Sequence, residues 1–436
     1  MDTRPHVVII GGGFGGLNAA LYLRKAPVRV TLIDRRNFHL FQPLLYQVAT
    51  GGLSPANIAT PLRALFKRLP ATEVLLAEVR DIDLAGRRVH CDDRTLAYDT
   101  LIVATGSGNH YFGHPEWAER APSLKTIEDA TDIRRRILLA FEHAELATDP
   151  KTVDQWLTFV LVGGGPTGVE LAGALSELAH HTLRQNFRHI QPNKARILLI
   201  EGTERILPTY PPDLSEKAAQ SLARLGATVR TGALVTDVGP DSVTVKAGET
   251  TERIPARTVL WTAGVLASPL ARRLGEASGA AVDRAGRVSV GPDCSLPGHP
   301  EVFVIGDMAD FKDENGKPLP GVAPVAIQQG RYVARLIRER LRGRTLPPFH
   351  YKDRGSVAVI GRAAAVADLG WIHISGYLAW LAWLVIHIMN LILFENRLLV
   401  MVQWAWDYAT RNRAARLITG PMPAPGEGAQ NQHSSS

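Results

Sequence analysis

Cysteine is nearly absent: the 436 residues include two, Cys91 and Cys294, 203 positions apart. This excludes a disulfide scaffold, a CxxC redox pair and a cysteine-rich metal site; no metal is expected, and a reducing compartment is the natural setting. Long runs of one charge are also missing. A net charge of +7 suits an acidic ligand or an anionic membrane surface, and without a basic run no nucleic-acid partner is expected. The apolar stretch at 7–10 is four residues long, shorter than the core of about 7–15 that a signal peptide needs, so no export is expected. What remains is ordinary: 45% hydrophobic residues, 21% charged residues and 39 glycines rule out disordered, collagen-like and coiled-coil chains. The length allows two to three domains at roughly 150 residues each. Residues 417–436, rich in Gly, Pro, Ser and Gln, read as a disordered tail.

One pattern occurs twice. A strand at 7–10 runs into GGGFGG at 11–16, a helix over 17–24 and a strand at 28–33 that ends in Asp34, and LIVATG at 101–106 follows later. A strand at 158–162 runs into GGGPTG at 163–168, a helix from 169 to about 183 and a strand at 196–200 that ends in Glu201, and TVLWTAG closes at 264. From first to closing glycine the copies span 95 and 101 residues. The pattern predicts an α/β chain with two Rossmann-like dinucleotide-binding units. In each, the first glycine (Gly11, Gly163) permits a tight turn. The second (Gly13, Gly165) lets the backbone approach a pyrophosphate, and the third (Gly16, Gly168) lets helix and strand pack closely. The helix N-terminus then holds the phosphates, and the acid accepts from ribose hydroxyls. Glu201 would repel a 2′-phosphate, which favours NADH over NADPH; nearby Arg205 reads as a solvated loop charge. The strand VFVIGD at 302–307 ends in Gly306 and Asp307, and a helix begins near Pro324 and runs over 325–341.

These residues resemble a two-dinucleotide flavoprotein, specifically the bacterial type II NADH:quinone oxidoreductases. The likeness spans about residues 5–416 and is carried by NFHLFQPLLYQVATG at 37–51, SLKTIEDA at 123–130, GGGPTGVELAG at 163–173, LWTAGV at 260–265, VAPVAIQQG at 322–330 and the aromatic C-terminal region. The resemblance implies FAD in the first unit, held by Gly11, Gly13, Gly16, Asp34, the Ala104–Thr105–Gly106 turn, Gly306 and Asp307. It implies NADH in the second, held by Gly163, Gly165, Gly168, Glu201, Ala263 and Gly264. Hydride would pass to the flavin, and a membrane quinone, ubiquinone or menaquinone, would leave as quinol without proton pumping. Glu170 reads either as a helix-end carboxylate or, by resemblance, as a catalytic group beside the nicotinamide–flavin stack. Relatives carry Gln-x-x-x-Gln in the quinone-pocket helix; here Pro324 takes the first place, and Gln328 is retained as a pocket residue. A homodimer is also implied.

Residues 369–394 contain no Asp, Glu, Lys or Arg, 26 in all, enough for a bilayer that needs about 20. Trp371, Trp380, Trp383, Trp404 and Trp406, with Arg397, Arg411, Arg413 and Arg416, suit an interface. A first helix ending at 395–397 and a second over 398–410, lying on the cytoplasmic face of the membrane, are favoured over a true span. The expected domains are 1–110 with 300–340 for FAD, 111–265 for NADH, an irregular connector at 266–299 and a membrane-anchoring helical region at 345–416. His180, His181 and His189 fall on the solvated face of the long helix. Two other readings stay open: a slow NADH-binding flavoprotein sensor or scaffold, and another quinone-linked reductase such as a sulfide:quinone oxidoreductase, for which two cysteines are too few.

Overall fold

In the computed structural model, which describes residues 3–420, the repeat is visible strand by strand. The first unit is a six-stranded sheet in the order Ser295–Leu296, His299–Val304, Thr100–Val103, His6–Ile10, Arg29–Asp34, Thr72–Leu76. The five long strands are parallel, and the two-residue edge strand is antiparallel. The second is a four-stranded parallel sheet in the order Ala227–Arg230, Arg196–Ile200, Thr158–Val162, Thr258–Trp261. Each unit inserts a three-stranded antiparallel meander before its closing strand, at 79–97 and at 233–255. His6–Ile10 and Thr158–Val162 are buried at every position, as continuous apolar runs covered on both faces must be.

The strand His299–Val304 returns to lie beside Thr100–Val103, so the first sheet closes only after the second unit has been laid down. The units are joined by a short antiparallel ribbon, Ser107–Asn109 against Val265–Ala267. The 266–299 stretch is less irregular than expected. It contains the helix Pro269–Ser278, whose Leu270, Ala271 and Leu274 pack under the first sheet and which Gly279 stops at φ +73°.

The C-terminal region departs most from expectation. The uncharged run at 369–394 is not one helix. Gly370 and Gly376 take positive φ, and between them His373–Gly376 joins Ser356–Gly361 and Ala364–Asp368 in a three-stranded antiparallel sheet. Only then come the helix Tyr377–Asn390, a break at 391–393 and the helix Phe394–Thr410. Glu395 thus opens the second helix rather than closing the first, as a carboxylate near a positive helix end should. Among the described residues no helix is long and apolar enough to cross a membrane. Ala358–Ile360, Ala365–Ala367, Ala379, Trp383 and Val400 share one core with the second unit. A Cβ on Gly173 would overlap the Ile360 carbonyl, so this sheet sits directly on the backbone of the helix Pro166–Glu177.

That helix runs to the predicted end, but only as far as Glu177 as an α-helix; Leu178–Thr182 continues it as a π turn. His180 is tied to the Leu225 carbonyl (2.7 Å). His189 lies off the helix altogether, bound through both its backbone and its ring to Glu145. The tail expected at 417–436 lies outside the described residues from 421 on; Leu417–Gly420 are described, and Thr419 receives a hydrogen bond from Arg134 (3.5 Å).

Candidate active site

The two glycine loops are nearly the same object. Gly11 and Gly163 sit at φ +102° and +105°, where an L side chain is strained, and each donates its N–H to the neighbouring strand at 2.8 Å, to Ile33 and Ile200 respectively. Cβ atoms on Gly16 and Gly168 would overlap the carbonyls of Gly11 and Gly163. Gly13 and Gly165, at the helix N-termini, have open space where a Cβ would stand. The third glycine therefore serves helix–strand packing, while the second leaves a bare backbone for a phosphate. The acids repeat the parallel. Asp34 accepts from Gly12 N–H (2.5 Å) and Arg36 N–H (2.7 Å); Glu201 accepts from Gly164 N–H (2.6 Å) and Thr203 N–H (2.7 Å). Burial pushes the Asp34 carboxyl above its ordinary range, against these two amides, which pull it down. Arg205 is turned into its own loop, donating to Pro208 carbonyl at 2.9 Å.

A cavity of about 810 Å³ opens in front of the first loop. Gly11, Gly13, Asp34, Ala104, Thr105, Gly106, Gly306, Asp307 and Glu170 line it, together with the N-terminal turn of the helix Ala323–Arg340. Asp307 accepts from Ser107 Oγ (2.7 Å), and Thr105 is held at Met308 Sδ (2.7 Å). The residues fit FAD: a bare-backbone cradle, an acid at the ribose position, and a cavity in the range of about 300–1,000 Å³ that ligands occupy. The second set (Gly163, Gly165, Gly168, Glu201, Ala263, Gly264) surrounds the other loop. Its helix reaches the same cavity through Thr167 and Glu170.

A second cavity of about 300 Å³ lies behind the first, and Tyr46 and Glu170 line both. One wall is apolar, from Trp380, Trp383, Leu384 and Trp404 of the two C-terminal helices with Val359 and Ile360 of the C-terminal sheet. A hydrogen-bonded chain crosses it: Trp404 Nε1 donates to Gln47 Oε1 (2.7 Å), and Gln47 Nε2 donates to the Tyr46 hydroxyl (2.9 Å). Burial pushes the Glu170 carboxyl up to about 8. Burial thus favours its protonated form, and it can hold a proton where the cavities meet.

Gln328 is not where it was expected. It lines neither cavity, and its amide is spent on the Lys352 backbone, donating to the carbonyl (2.9 Å) and accepting from the N–H (3.0 Å). Its neighbour Gln329 is buried and accepts from Gly306 N–H (2.7 Å), bracing the Gly306–Asp307 turn. Sequence reasoning missed Tyr46, Gln47 and Lys125, and read Trp404 as an interface residue rather than a cavity wall. Lys125 lines the large cavity 3.4 Å from Ser107 Oγ, with its ammonium lowered by burial and partly restored by Asp307. All four lie in segments that carry the family resemblance, but that signal does not separate ligand contact from packing.

Comparison with known proteins follows from this geometry. Residues 5–330 match the family described as pyridine nucleotide-disulphide oxidoreductase, and residues 354–410 match the NDH2 C-terminal domain. The type II NADH:quinone oxidoreductase Ndh of Mycobacterium tuberculosis is 46% identical over 424 residues, covering 95% of this chain and 90% of that one. The chain belongs to the type II NADH:quinone oxidoreductases. Another relative, the demethylphylloquinone reductase NdbB of Synechocystis, is 30% identical over 416 residues, covering 92% of this chain and 96% of its own. The structure of NDH2 from Plasmodium falciparum in complex with NADH superposes with a TM-score of 0.86 at 21% identity, covering 96% and 100% of the two chains, which speaks for the fold. The family's two parts divide where the tertiary structure does: the first holds both glycine loops, and the second supplies the tryptophan wall of the smaller cavity.

Proposed function

We propose that the large cavity holds FAD, that NADH lies on the second glycine loop, and that the small cavity receives the quinone head, with Tyr46 and Glu170 as the shared partition. As a member of its family the chain is a flavoprotein that oxidises NADH and reduces a quinone, without proton pumping. The chemistry FAD supplies when bound is acceptance of hydride and donation of two electrons to quinone. The chain's own residues do the rest. Gly11, Gly13 and Gly16 offer the phosphate cradle, Asp34 the ribose contact, the 104–106 turn and Asp307 the remaining polar edge. The helix beginning at Ala323 carries no acid in its first turn, so its positive end faces the cavity undiminished and stabilises negative charge there. Gly163, Gly165, Gly168, Glu201, Ala263 and Gly264 do for NADH what the first set does for FAD. Glu170 keeps a proton at the partition, and the Trp404–Gln47 chain orients the Tyr46 hydroxyl toward it.

The outward sides of the two C-terminal helices support attachment to a lipid surface. Leu378, Val385, Met389 and Phe394 are 66%, 62%, 62% and 78% exposed, an apolar face left uncovered by the described residues. Lying on the cytoplasmic side of a membrane, that face would set the small cavity against the lipid that carries the quinone. Neither Cys91 nor Cys294 lines either of these two cavities, which disfavours sulfide chemistry there. One observation carries the reading: two cavities of different polarity share a partition made of one tyrosine and one glutamate. Gln47→Ala and Trp404→Phe test it. Each should slow reoxidation of the reduced flavin by quinone roughly 5- to 30-fold, about what one to two kcal/mol of lost orientation gives, while NADH still bleaches the flavin and ferricyanide is still reduced. Unchanged quinone kinetics would reject the small cavity as the quinone site.

A further inference from the structure

Quinol formation takes up two protons, and NADH brings only one with its hydride: NADH + H⁺ + quinone gives NAD⁺ + quinol. The second proton comes from water and must enter a cavity walled on one side by tryptophan and leucine. The rest of its lining is charged. It includes Glu177, His181, Arg362, Asp407, Arg411 and Arg413.

Most of these groups are already engaged. Glu177 is fixed by Arg413 (2.9 Å) and by the Arg362 backbone N–H (2.5 Å), and Arg413 also donates to the Ala174 carbonyl (2.9 Å). The Arg362 guanidinium lies 4.0 Å over the Tyr408 ring. His181 and Arg411 are exposed at the rim, where Thr182 Oγ1 donates to the Arg411 carbonyl (3.1 Å). Asp407 is different. It stands one turn before the end of the helix Phe394–Thr410, on the side that carries Trp404, and faces the same cavity as Glu170. Its side chain has one polar partner, Gln403 Nε2 (2.9 Å), and among the described residues no cation pairs with it.

We propose that Asp407 delivers the water-derived proton of quinone reduction, loading at the His181–Arg411 rim and passing it inward toward Glu170. The proposal rests on the small cavity being the quinone site. In the step, an O–H bond forms on the Asp407 carboxylate with a proton from water and breaks as that proton moves into the cavity. The two electrons come from NADH, and the quinone ends with two O–H bonds. Gln403 on its own helix bonds Asp407, and the titratable and charged groups that line the cavity with it are Arg411 at the helix end, Glu170, Glu177 and His181 on the helix and π turn before Leu183, Arg362 after the sheet strand, Arg413 further on, and Tyr46 from the first unit. Burial raises the carboxyl to about 6, against Gln403 and Arg413, whereas Glu170 stands at about 8. A proton collected at the rim therefore moves to the more basic carboxylate inside.

The test uses the flavin-loaded full chain in lipid vesicles with a short-chain quinone. Asp407→Asn should lower quinone turnover roughly 10- to 100-fold, the scale of one lost acid–base group, with a larger solvent deuterium isotope effect, and millimolar formate should restore part of the rate. Ferricyanide reduction and flavin bleaching by NADH should be unchanged, and Asp407→Glu should recover most of the activity. Gln403→Leu keeps the carboxyl and removes the group that holds it ionised, so the fall of turnover with rising pH should move to higher pH; this variant decides the matter if the Asn variant fails to fold. A wild-type pH profile in Gln403→Leu together with a wild-type isotope effect in Asp407→Asn would overturn the proposal. Leu384→Trp, which fills the cavity, separates the two readings. If it leaves quinone turnover intact, the site assignment falls and the proposal with it. If it abolishes turnover while the Asp407 and Gln403 variants behave as wild type, only the proton role falls.

Discussion

Replacing Glu170 by Gln removes a carboxyl that the fold holds protonated well past its ordinary value of 4.5, up to about 8, because it is buried where the two cavities meet and only the Val359 amide stabilises its charge. The sign follows directly. Between those two values the folded protein binds a proton that the unfolded chain has released, so this group's contribution to stability falls as pH rises through that window and is level above it. The full difference corresponds to on the order of 5 kcal/mol as an upper limit. Water entering the cavity screens it, and about half is a realistic expectation. Glutamine has the same shape and no charge to bury. The Gln variant should therefore match the wild type near pH 5 and exceed it progressively up to pH 8, by a few degrees in thermal midpoint. Unfolding curves for both proteins at matched pH from 5 to 9 measure this, because other titrating groups cancel in the difference. A gap that does not change with pH would refute the placement of a buried, protonatable Glu170. The same substitution should slow quinone turnover while FAD stays bound, and should abolish the fall in activity expected of the wild type as pH rises through about 8.

Two further outcomes follow from the geometry. Leu378→Asp combined with Val385→Asp should release the protein from vesicles while flavin content and ferricyanide reduction persist, as judged by flotation; continued flotation with lipid would reject the outward helix face as the attachment surface. Glu201→Gln should raise kcat/KM for NADPH several-fold, because the carboxylate at the ribose edge repels a 2′-phosphate; steady-state kinetics with both cofactors measure it, and an unchanged NADPH value would show that Glu201 does not discriminate.

Truncating the C-terminal region after Tyr351 would be a poor test of attachment. The C-terminal strands and helices close the core around the helix Pro166–Glu177, with Gly173 against Ile360, so truncation would open that core and delete the tryptophan wall together with any membrane anchor. Point charges on the outward face leave both in place.

The glycine loops, their acids and the Gly306–Asp307 turn could be read from the chain because each is a local object. A few consecutive residues set a positive φ, a bare backbone and a helix end, and duplication at nearly equal spacing makes chance agreement improbable. Gln328 was misread for the opposite reason. Its expected place in the quinone pocket depends on which way one helix face turns, and Gly330, packed against the Gly15 carbonyl, leaves Gln328 bonded to the Lys352 backbone. The apolar run at 369–394 misled similarly: hydropathy registers the absence of charge, whereas Gly370 and Gly376 convert its first part into a strand.

From sequence alone come the two glycine loops with their acids and an apolar, tryptophan-rich C-terminus, since composition and short-range spacing carry them. Tertiary packing alone decides the small cavity. Tyr46 and Gln47, Glu170 and Glu177, Val359, Trp383, Trp404 and Asp407 come from segments hundreds of residues apart, and no local preference of the backbone requires any of them to meet. They do meet because a strand of the C-terminal sheet rests on a glycine in the second unit's helix. That contact places two short helices where their inner faces wall a cavity and their outer faces stay exposed.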